Sequence, residues 1–371
     1  MSAPFALAAG GTGGHLFPAE ALAGELAAGG RQVHLLTDSR VDSFAAQIPG
    51  VTFHKLRAGR LGAGPVRTAY ALGGLAAGAV QARRLLRRLM PAAVIGFGGY
   101  PSVPTMLAAA SLGLPTLIHE QNAVLGRANR LLAPRVWRIA TGFAETAGLR
   151  RGARERAVHT GNPVRRAILA LGDASYSAPE PDGAVELLVL GGSQGAHILA
   201  EIVPTAVARL PQGPRRRLHV SQQARPEDLA AVVTAYREAG VSADIESFFA
   251  DVPQRLARAH LVICRAGAST VAELGAVGRP ALLIPYPHAT DDHQTANAAA
   301  FAAAGGGRAI RQADLGADGF AAELEKLLGD GAVLLLMAQR AAAFGRRDAA
   351  RRLADLALSL RPGEALEECA A

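Results

Sequence analysis

Short apolar runs recur along this chain, each followed by a glycine-rich turn or by a longer stretch of helical composition. In the N-terminal half, residues 4–9, 32–37, 94–97 and 116–119 have the near-continuous apolar character of strands buried on both faces. Residues 16–28 between them read as a helix. Strands alternating with helical segments predict βαβ units and a parallel sheet. The pattern then breaks. Residues 150–156 are charged, Gly161-Asn162-Pro163 is a strong breaker, and 172–183 is polar and rich in Pro and Asp. It restarts with strand-like runs at 185–190, 217–220, 243–248, 261–264 and 281–285. The expected class is α/β, one nucleotide-type architecture used twice, with a hinge near 161–165. Beyond about Ala338 the chain reads as helical and Arg-rich, and 362–371 as a disordered tail.

The glycine turns give this pattern its chemistry. Gly10-Gly11-Thr12-Gly13-Gly14-His15 follows the first strand, and Gly191-Gly192-Ser193-Gln194-Gly195-Ala196 follows the strand that restarts the pattern. Such turns bring backbone N–H groups up to an anion at the start of a helix. A third cluster, Gly96-Phe97-Gly98-Gly99-Tyr100-Pro101-Ser102, also lies between a strand and a helix. Two such loops from neighbouring strands can hold one pyrophosphate; the plainer alternative is tight turns alone. The first loop is not a dinucleotide fingerprint, because Leu16 stands where the third glycine belongs, although Asp38 occupies the place of a ribose-binding acid. His15 lies at the mouth of this loop, in the first turn of the helix, where the helix dipole disfavours imidazolium. A lone histidine is more often structural, but this placement suits a neutral general base.

His119-Glu120-Gln121-Asn122 packs four polar side chains at the C-terminal end of a strand, the edge where open α/β sheets bind ligands. Gly191–Gly195 also matches the G-x-S-x-G nucleophile elbow of hydrolases, with Asp251 and His260 or His288 as nominal partners. That reading leaves the N-terminal glycine loops without a use. The densest stretch, Cys264 to Glu273, ends a strand in small residues. Ser269 there is expected to cap the next helix, and Glu273 lies one turn in, where a carboxylate can take both hydroxyls of a ribose. Asp291-Asp292-His293-Gln294 and Asn297 offer groups suited to sugar hydroxyls. No D-x-D pair is placed to hold a metal–diphosphate, so helix N-termini and Arg165 are left to stabilise a leaving group.

Composition bounds the picture. At 371 residues the chain exceeds the roughly 250–300 at which single cores stop growing, so two domains are expected. With 50% hydrophobic and 19% charged residues it is globular rather than disordered. The net charge is +8, and Lys55 and Lys326 are its only lysines. An Arg-rich balance suits anionic partners, either nucleotides or an acidic membrane surface, though Ala/Arg-rich composition also arises from genome bias. Cys264 and Cys369 provide neither a disulfide framework nor a metal knuckle. No signal peptide is read, and the longest apolar run, 69–80, has 12 residues against the roughly 20 of a membrane span. The expectation is a cytoplasmic protein, or one bound to a membrane only at its face. Residues 81–90 place Arg83/Arg87 and Arg84/Arg88 at i,i+4 with leucines between, which reads as a basic, amphipathic membrane-surface element or as an ordinary helix with a solvated basic face.

Taken together, the motifs at 10–15, 96–102, 119–122, 161–165, 191–196, 264–273 and 292–297 resemble, in order and spacing and over nearly the whole chain, the bacterial undecaprenyl-diphospho-muramoylpentapeptide β-N-acetylglucosaminyltransferases, the MurG family. The resemblance implies the GT-B fold: two Rossmann-like domains facing across a cleft, here 1–161 for the acceptor and membrane and 162–340 for UDP-GlcNAc, with a last helix, 341–361, returning to the first. It implies inverting transfer of GlcNAc from UDP-GlcNAc to the MurNAc 4-hydroxyl of lipid I, giving lipid II, at the cytoplasmic face of the plasma membrane. On this resemblance the donor site comprises Thr12, Gly13, Gly14, Asn122, Arg165, Ser193, Phe249, Ala268, Ser269, Thr270, Val271, Ala272, Glu273 and Gln294. Glu273 takes the ribose, the Phe249 backbone the uracil, Gln294 and Asn122 the sugar, and Ser193 faces the diphosphate. His15 is assigned as the base, with Glu120 as the alternative. Gly98, Gly99, Tyr100, His119 and Glu120 are expected on the acceptor diphosphate side. Anionic inner-leaflet lipids and other cell-wall synthesis proteins are the further implied partners; no metal, organic cofactor or nucleic acid is implied. The 69–90 segment lacks the tryptophans of a deep membrane anchor. Rival readings are a related transferase with another acceptor, a UDP-GlcNAc 2-epimerase, and a silent sugar-nucleotide sensor.

Overall fold

The computed structural model describes residues 3–10, 13–37, 50–56, 65–171, 175–192 and 195–360. The chain forms two compact units: residues 1–165 with 347–371, and residues 166–346. Both change-over points fall a few residues beyond the breaks expected at 161 and 340. The segment expected to return, 341–361, is divided. Helix Gly331–Phe344 belongs to the second unit, and helix Ala349–Ser359 packs in the first. The expected tail at 362–371 lies outside the described residues.

Among the described residues the first unit holds a parallel sheet in the order β3-β2-β1-β4-β5-β6-β7. Its strands are β1 (Phe5–Ala8), β2 (Val33–Thr37), β3 (Val51–Lys55), β4 (Ala93–Gly96), β5 (Thr116–Glu120), β6 (Arg138–Thr141) and β7 (Ala157–His159). Alternation along β1 shows how the layers form. Phe5, Leu7 and Ala9 face a core shared with helices Gly13–Ala28 and Ala349–Ser359, through Leu22, Leu26 and Leu353. Ala6 and Ala8 face the opposite core, with Ala82, Leu86, Val103 and Met106 of helices Pro65–Leu89 and Ser102–Ser111. A strand covered on both faces needs no polar side, which is why these runs read so clearly. Strands β3, β6 and β7 were not evident in sequence. They lie toward the sheet edges, where short, half-polar strands suffice.

In residues 81–90, at the end of helix Pro65–Leu89, the core positions face inward and basic positions face outward. Leu86 and Ala82 are fully buried against the core, while Arg84, Arg87 and Arg88 are exposed. The exposed face there is basic, bordered by the exposed apolar side chains of Val80 and Met90. Among the described residues no single helix is long and apolar enough to cross a membrane.

The second unit repeats the plan with the order β10-β9-β8-β11-β12-β13. Its strands are β8 (Val185–Leu190), β9 (Leu218–Gln223), β10 (Ser242–Glu246), β11 (Leu261–Cys264), β12 (Ala281–Leu283) and β13 (Gly307–Ala309). Every pairing in both sheets is parallel.

Candidate active site

In each sheet the strand order reverses once, and the loops on either side of that reversal leave in opposite directions and open a crevice at the C-terminal edge. In the first unit the reversal lies between β1 and β4. These are the strands that carry the first and third glycine clusters. Gly11 and Thr12 lie outside the described residues; helix Gly13–Ala28 begins immediately after them and carries the half-buried His15 in its first turn. Across the crevice, Gly98 and Gly99 adopt φ +81° and +71°, a region costly for any residue with a β carbon. A β carbon would stand 3.5 Å from His15 Cε1 at Gly98 and 3.2 Å from His15 Cδ2 at Gly99. The glycines therefore do more than turn the chain: they let backbone lie against the imidazole. Tyr100 beside them is 43% exposed.

The polar run at the end of β5 is mostly turned inward. His119 is fully buried, its Nε2 3.0 Å from the Gly161 carbonyl oxygen, and burial pushes its pKa down to about 4. Glu120 is also buried. Its Oε1 accepts from the backbone N–H and side-chain amide of Asn122, and its Oε2 from the Gly126 N–H and Asn129 Nδ2, both at 2.8 Å. With four N–H groups on its two oxygens, this carboxylate knits the loop together. The expectation that His119 and Glu120 meet an acceptor, and that Glu120 could serve as the base, does not fit this burial. Asn122 stays half-buried at the edge.

Two residues that sequence reasoning did not single out organise the site. Gln121 places Oε1 3.2 Å from His15 Nδ1. Asn129 donates Nδ2 to both the His119 carbonyl and Glu120. Gln121 stood within a visibly polar run, whereas nothing local marks Asn129. The connecting segment joins them, since Asn162 Nδ2 donates to the Gln121 carbonyl at 2.7 Å. Arg165 lies with its guanidinium 5.4 Å from the centre of the Phe17 ring, on the His15 helix.

In the second unit the reversal falls between β8 and β11. The turn after β8 contains Gly191, Gly192 and Gly195; Ser193 and Gln194 lie outside the described residues. Gly195 has φ +70°, and a β carbon there would collide with Arg225 Cγ. After β11 the chain enters helix Ala268–Val277. Its N-cap is Gly267, with no side-chain cap, so Ser269 lies inside the first turn and does not cap the helix as expected. That first turn carries no acidic residue, and its N–H groups suit an oxyanion. Val271 is fully buried and Ala268 nearly so, leaving only their backbone for a ligand; Glu273 is 8% exposed on the same helix.

Beyond β12, Asp291 and Asp292 both adopt positive φ, 53° and 51°, immediately before helix His293–Ala303. Consecutive left-handed non-glycine residues are strained, and Gln294 follows them in the first turn of that helix. Gln294 Oε1 accepts from the N–H groups of Ala266 and Tyr286, bridging the loops after β11 and β12. Its remaining polar group is the Nε2 donor, appropriate to a sugar oxygen. Asn297 is buried and donates to the Ala266 carbonyl, a scaffold role rather than a sugar contact. The Phe249 ring is buried beneath the Arg255 guanidinium, 4.1 Å from its centre, so its side of a ligand is backbone.

The hydrolase reading does not survive these contacts. Asp251 pairs with Arg255 at 2.9 Å, and His260 Nδ1 accepts the Glu186 N–H at 2.9 Å, so neither addresses a nucleophile. Among the described residues no group of three or more His, Cys, Asp or Glu side chains could hold a metal ion.

Comparison with known proteins places this geometry. Residues 5–141 match the glycosyltransferase family 28 N-terminal domain, and 186–353 the family 28 C-terminal domain. A relative from Rhodospirillum centenum is 57% identical over 359 residues, spanning 96% of this chain and 94% of its own length. It is named UDP-N-acetylglucosamine–N-acetylmuramyl-(pentapeptide) pyrophosphoryl-undecaprenol N-acetylglucosamine transferase. The chain belongs to the MurG family. A second relative of the same name, from Paramagnetospirillum magneticum, is 55% identical over 97% of each chain. The crystal structure of Acinetobacter baumannii MurG superposes with a TM-score of 0.78 at 30% identity, over 96% of this chain and 99% of that one. Membership of the MurG family and the two parallel-sheet units make the fold GT-B. A UDP-GlcNAc 2-epimerase from Neisseria meningitidis has a TM-score of 0.65 at 10% identity, a likeness of fold alone.

Proposed function

We propose that this chain transfers GlcNAc from UDP-GlcNAc to the 4-hydroxyl of MurNAc in the undecaprenyl-pyrophosphoryl acceptor lipid I, forming lipid II with inversion at the anomeric carbon. The observation that carries the reading is near-full-length identity of 57% to a transferase of that name. The two sheet edges supply the chemistry.

On the donor side, Glu273 takes the ribose hydroxyls, the Phe249 backbone meets the uracil, and the Gln294 amide holds the sugar. The uncapped first turn of helix Ala268–Val277, with Ser193 and Arg165, takes the negative charge that grows on the diphosphate as the glycosidic C–O bond breaks. On the acceptor side, the loops at 10–14 and 98–100 receive the lipid pyrophosphate. His15 accepts the proton of the 4-hydroxyl as that oxygen attacks the anomeric carbon and UDP departs with the bonding pair. Placement in the first turn of a helix favours neutral imidazole before the reaction.

The chain works at the cytoplasmic face of the membrane, held peripherally by anionic lipids. The exposed Arg84, Arg87 and Arg88 face of helix Pro65–Leu89 supports this.

Labelled UDP-GlcNAc incubated with and without a lipid I analogue tests the function. Label should enter lipid only when the analogue is present. Conversion of UDP-GlcNAc without acceptor would mean an epimerase, and binding without turnover a sensor. Transfer to a different acceptor in preference would reassign the substrate.

A further inference from the structure

The hydrogen bonds around Gln121 fix a proton position that coordinates alone do not display. Gln121 Nε2 lies 3.0 Å from the Phe97 carbonyl oxygen and 3.0 Å from the His119 carbonyl oxygen. Carbonyl oxygens only accept, so the nitrogen end of this amide must face them and the orientation is unambiguous. Oε1 therefore faces His15 Nδ1, and an amide oxygen also only accepts. The proton of that contact belongs to His15 Nδ1.

His119 enforces the same assignment from the other side. Its Nε2 faces the Gly161 carbonyl oxygen at 3.0 Å and must carry the proton. Burial keeps the ring neutral at physiological pH, which leaves Nδ1 as its acceptor nitrogen. Gln121 Nε2 lies 3.1 Å from that nitrogen, so its two N–H groups are shared among three acceptors, the two carbonyl oxygens and His119 Nδ1. All three acceptors thus face the amide nitrogen of Gln121, which leaves its oxygen for His15.

We propose that Gln121 is a positioning residue that fixes His15 in the Nδ1–H tautomer and so makes Nε2 the nitrogen that takes the acceptor proton. This rests on His15 being the general base. The step balances: the substrate O–H bond breaks, the Nε2–H bond forms, and the resulting imidazolium keeps Nδ1–H on the Gln121 oxygen, which stabilises the positive charge until the proton passes to solvent. Without Gln121, the commoner Nε2–H form of a histidine would place a proton where the reaction needs a lone pair.

The test is long-range ¹H–¹⁵N correlation of the full-length chain labelled at histidine. The His15 signals are assigned as those lost in His15→Gln. The expected spectrum shows His15 protonated at Nδ1 and His119 at Nε2. A His15 signal protonated at Nε2 overturns the proposal even without a mutant. In Gln121→Leu, the His15 signals should shift toward the Nε2–H form. kcat should fall by about 10²–10⁴-fold, the span that a general base contributes, with KM for UDP-GlcNAc retained. A Gln121→Leu variant that keeps the Nδ1–H signal and full kcat overturns it equally. If His15→Gln itself keeps normal turnover, the base assignment fails, and that result is separate from the tautomer measurement.

Discussion

A β carbon at Gly99 would lie 3.2 Å from His15 Cδ2 and 3.4 Å from His15 Nε2, so the backbone of one glycine loop is the wall against which the imidazole of the other stands. Gly99→Ala forces a left-handed L-residue, costing about 1–2 kcal/mol. That corresponds to a melting temperature lowered by about 2–8 °C for a unit of this size. It also displaces the ring, so kcat should fall while KM for UDP-GlcNAc is kept. His15→Ala bounds the loss at about 10²–10⁴-fold. Steady-state kinetics against both substrates, alongside a thermal melt, separates the two effects.

Glu120→Gln should behave as a structural lesion. One of its oxygens becomes an amide nitrogen facing N–H donors, a loss of about 1–3 kcal/mol. Denaturant unfolding should record that loss, and the pH profile of the remaining turnover should keep its acidic limb. A limb that disappears with Glu120→Gln would make this carboxylate the base.

His119 ties stability to pH. Its pKa falls from the ordinary 6.5 to about 4 because burial disfavours the imidazolium. The folded chain therefore binds fewer protons than the unfolded chain between those values, and stability rises with pH across that window. The contribution, about 3 kcal/mol from the size of the shift, is complete above pH 6.5 and lost as pH falls toward 4. Burial lowers His34, His54 and His260 in the same sense. Unfolding free energy measured from pH 7 to 4 should show the slope, and His119→Gln should flatten it.

Glu273 is the residue whose loss should be felt in donor binding. It is 8% exposed on helix Ala268–Val277, whose first turn we propose as the diphosphate site. Glu273→Gln should remove the proposed charge-assisted bonds to the ribose, a loss of about 1.5–3 kcal/mol, or roughly 10- to 150-fold in affinity. Isothermal titration with UDP should show that weakening, and a deoxyribose analogue should bind the wild type and the variant alike.

Charge reversal at Arg84, Arg87 and Arg88 should reduce binding to vesicles containing anionic phospholipid and leave transfer to a short-chain, soluble acceptor near normal. Each arginine near such a surface contributes about 1 kcal/mol. Because these side chains are exposed, the fold should be unaffected. Equal vesicle binding by both proteins would remove this face as the membrane contact.

Most of the architecture was legible because its signals are local. Runs such as Val185–Leu190 are apolar throughout because both faces of a parallel strand are covered, and glycines recur where the chain must turn with positive φ. The strands that escaped notice are those to which local preference contributes least: Gly307–Ala309 has three residues, and Val51–Lys55 is an edge strand with His and Lys. The polar run at 119–122 announced a site, yet composition could not tell which of its side chains face outward. That was decided by partners outside the run, the distant Gly161 for His119 and Asn129 on the next helix for Glu120.

The amino-acid sequence alone determined two α/β halves, the glycine turns that open their edges, His15 at the mouth of the first, and the likeness to a transferase family. Tertiary structure decided which polar groups are spent on one another. Hydrogen bonding inside a core is directional and must be satisfied. Once Gln121 has given its nitrogen to two carbonyls, its oxygen is committed to His15. No periodicity in the chain encodes that commitment, because it exists only when β4, β5 and the Gly13–Ala28 helix are brought together.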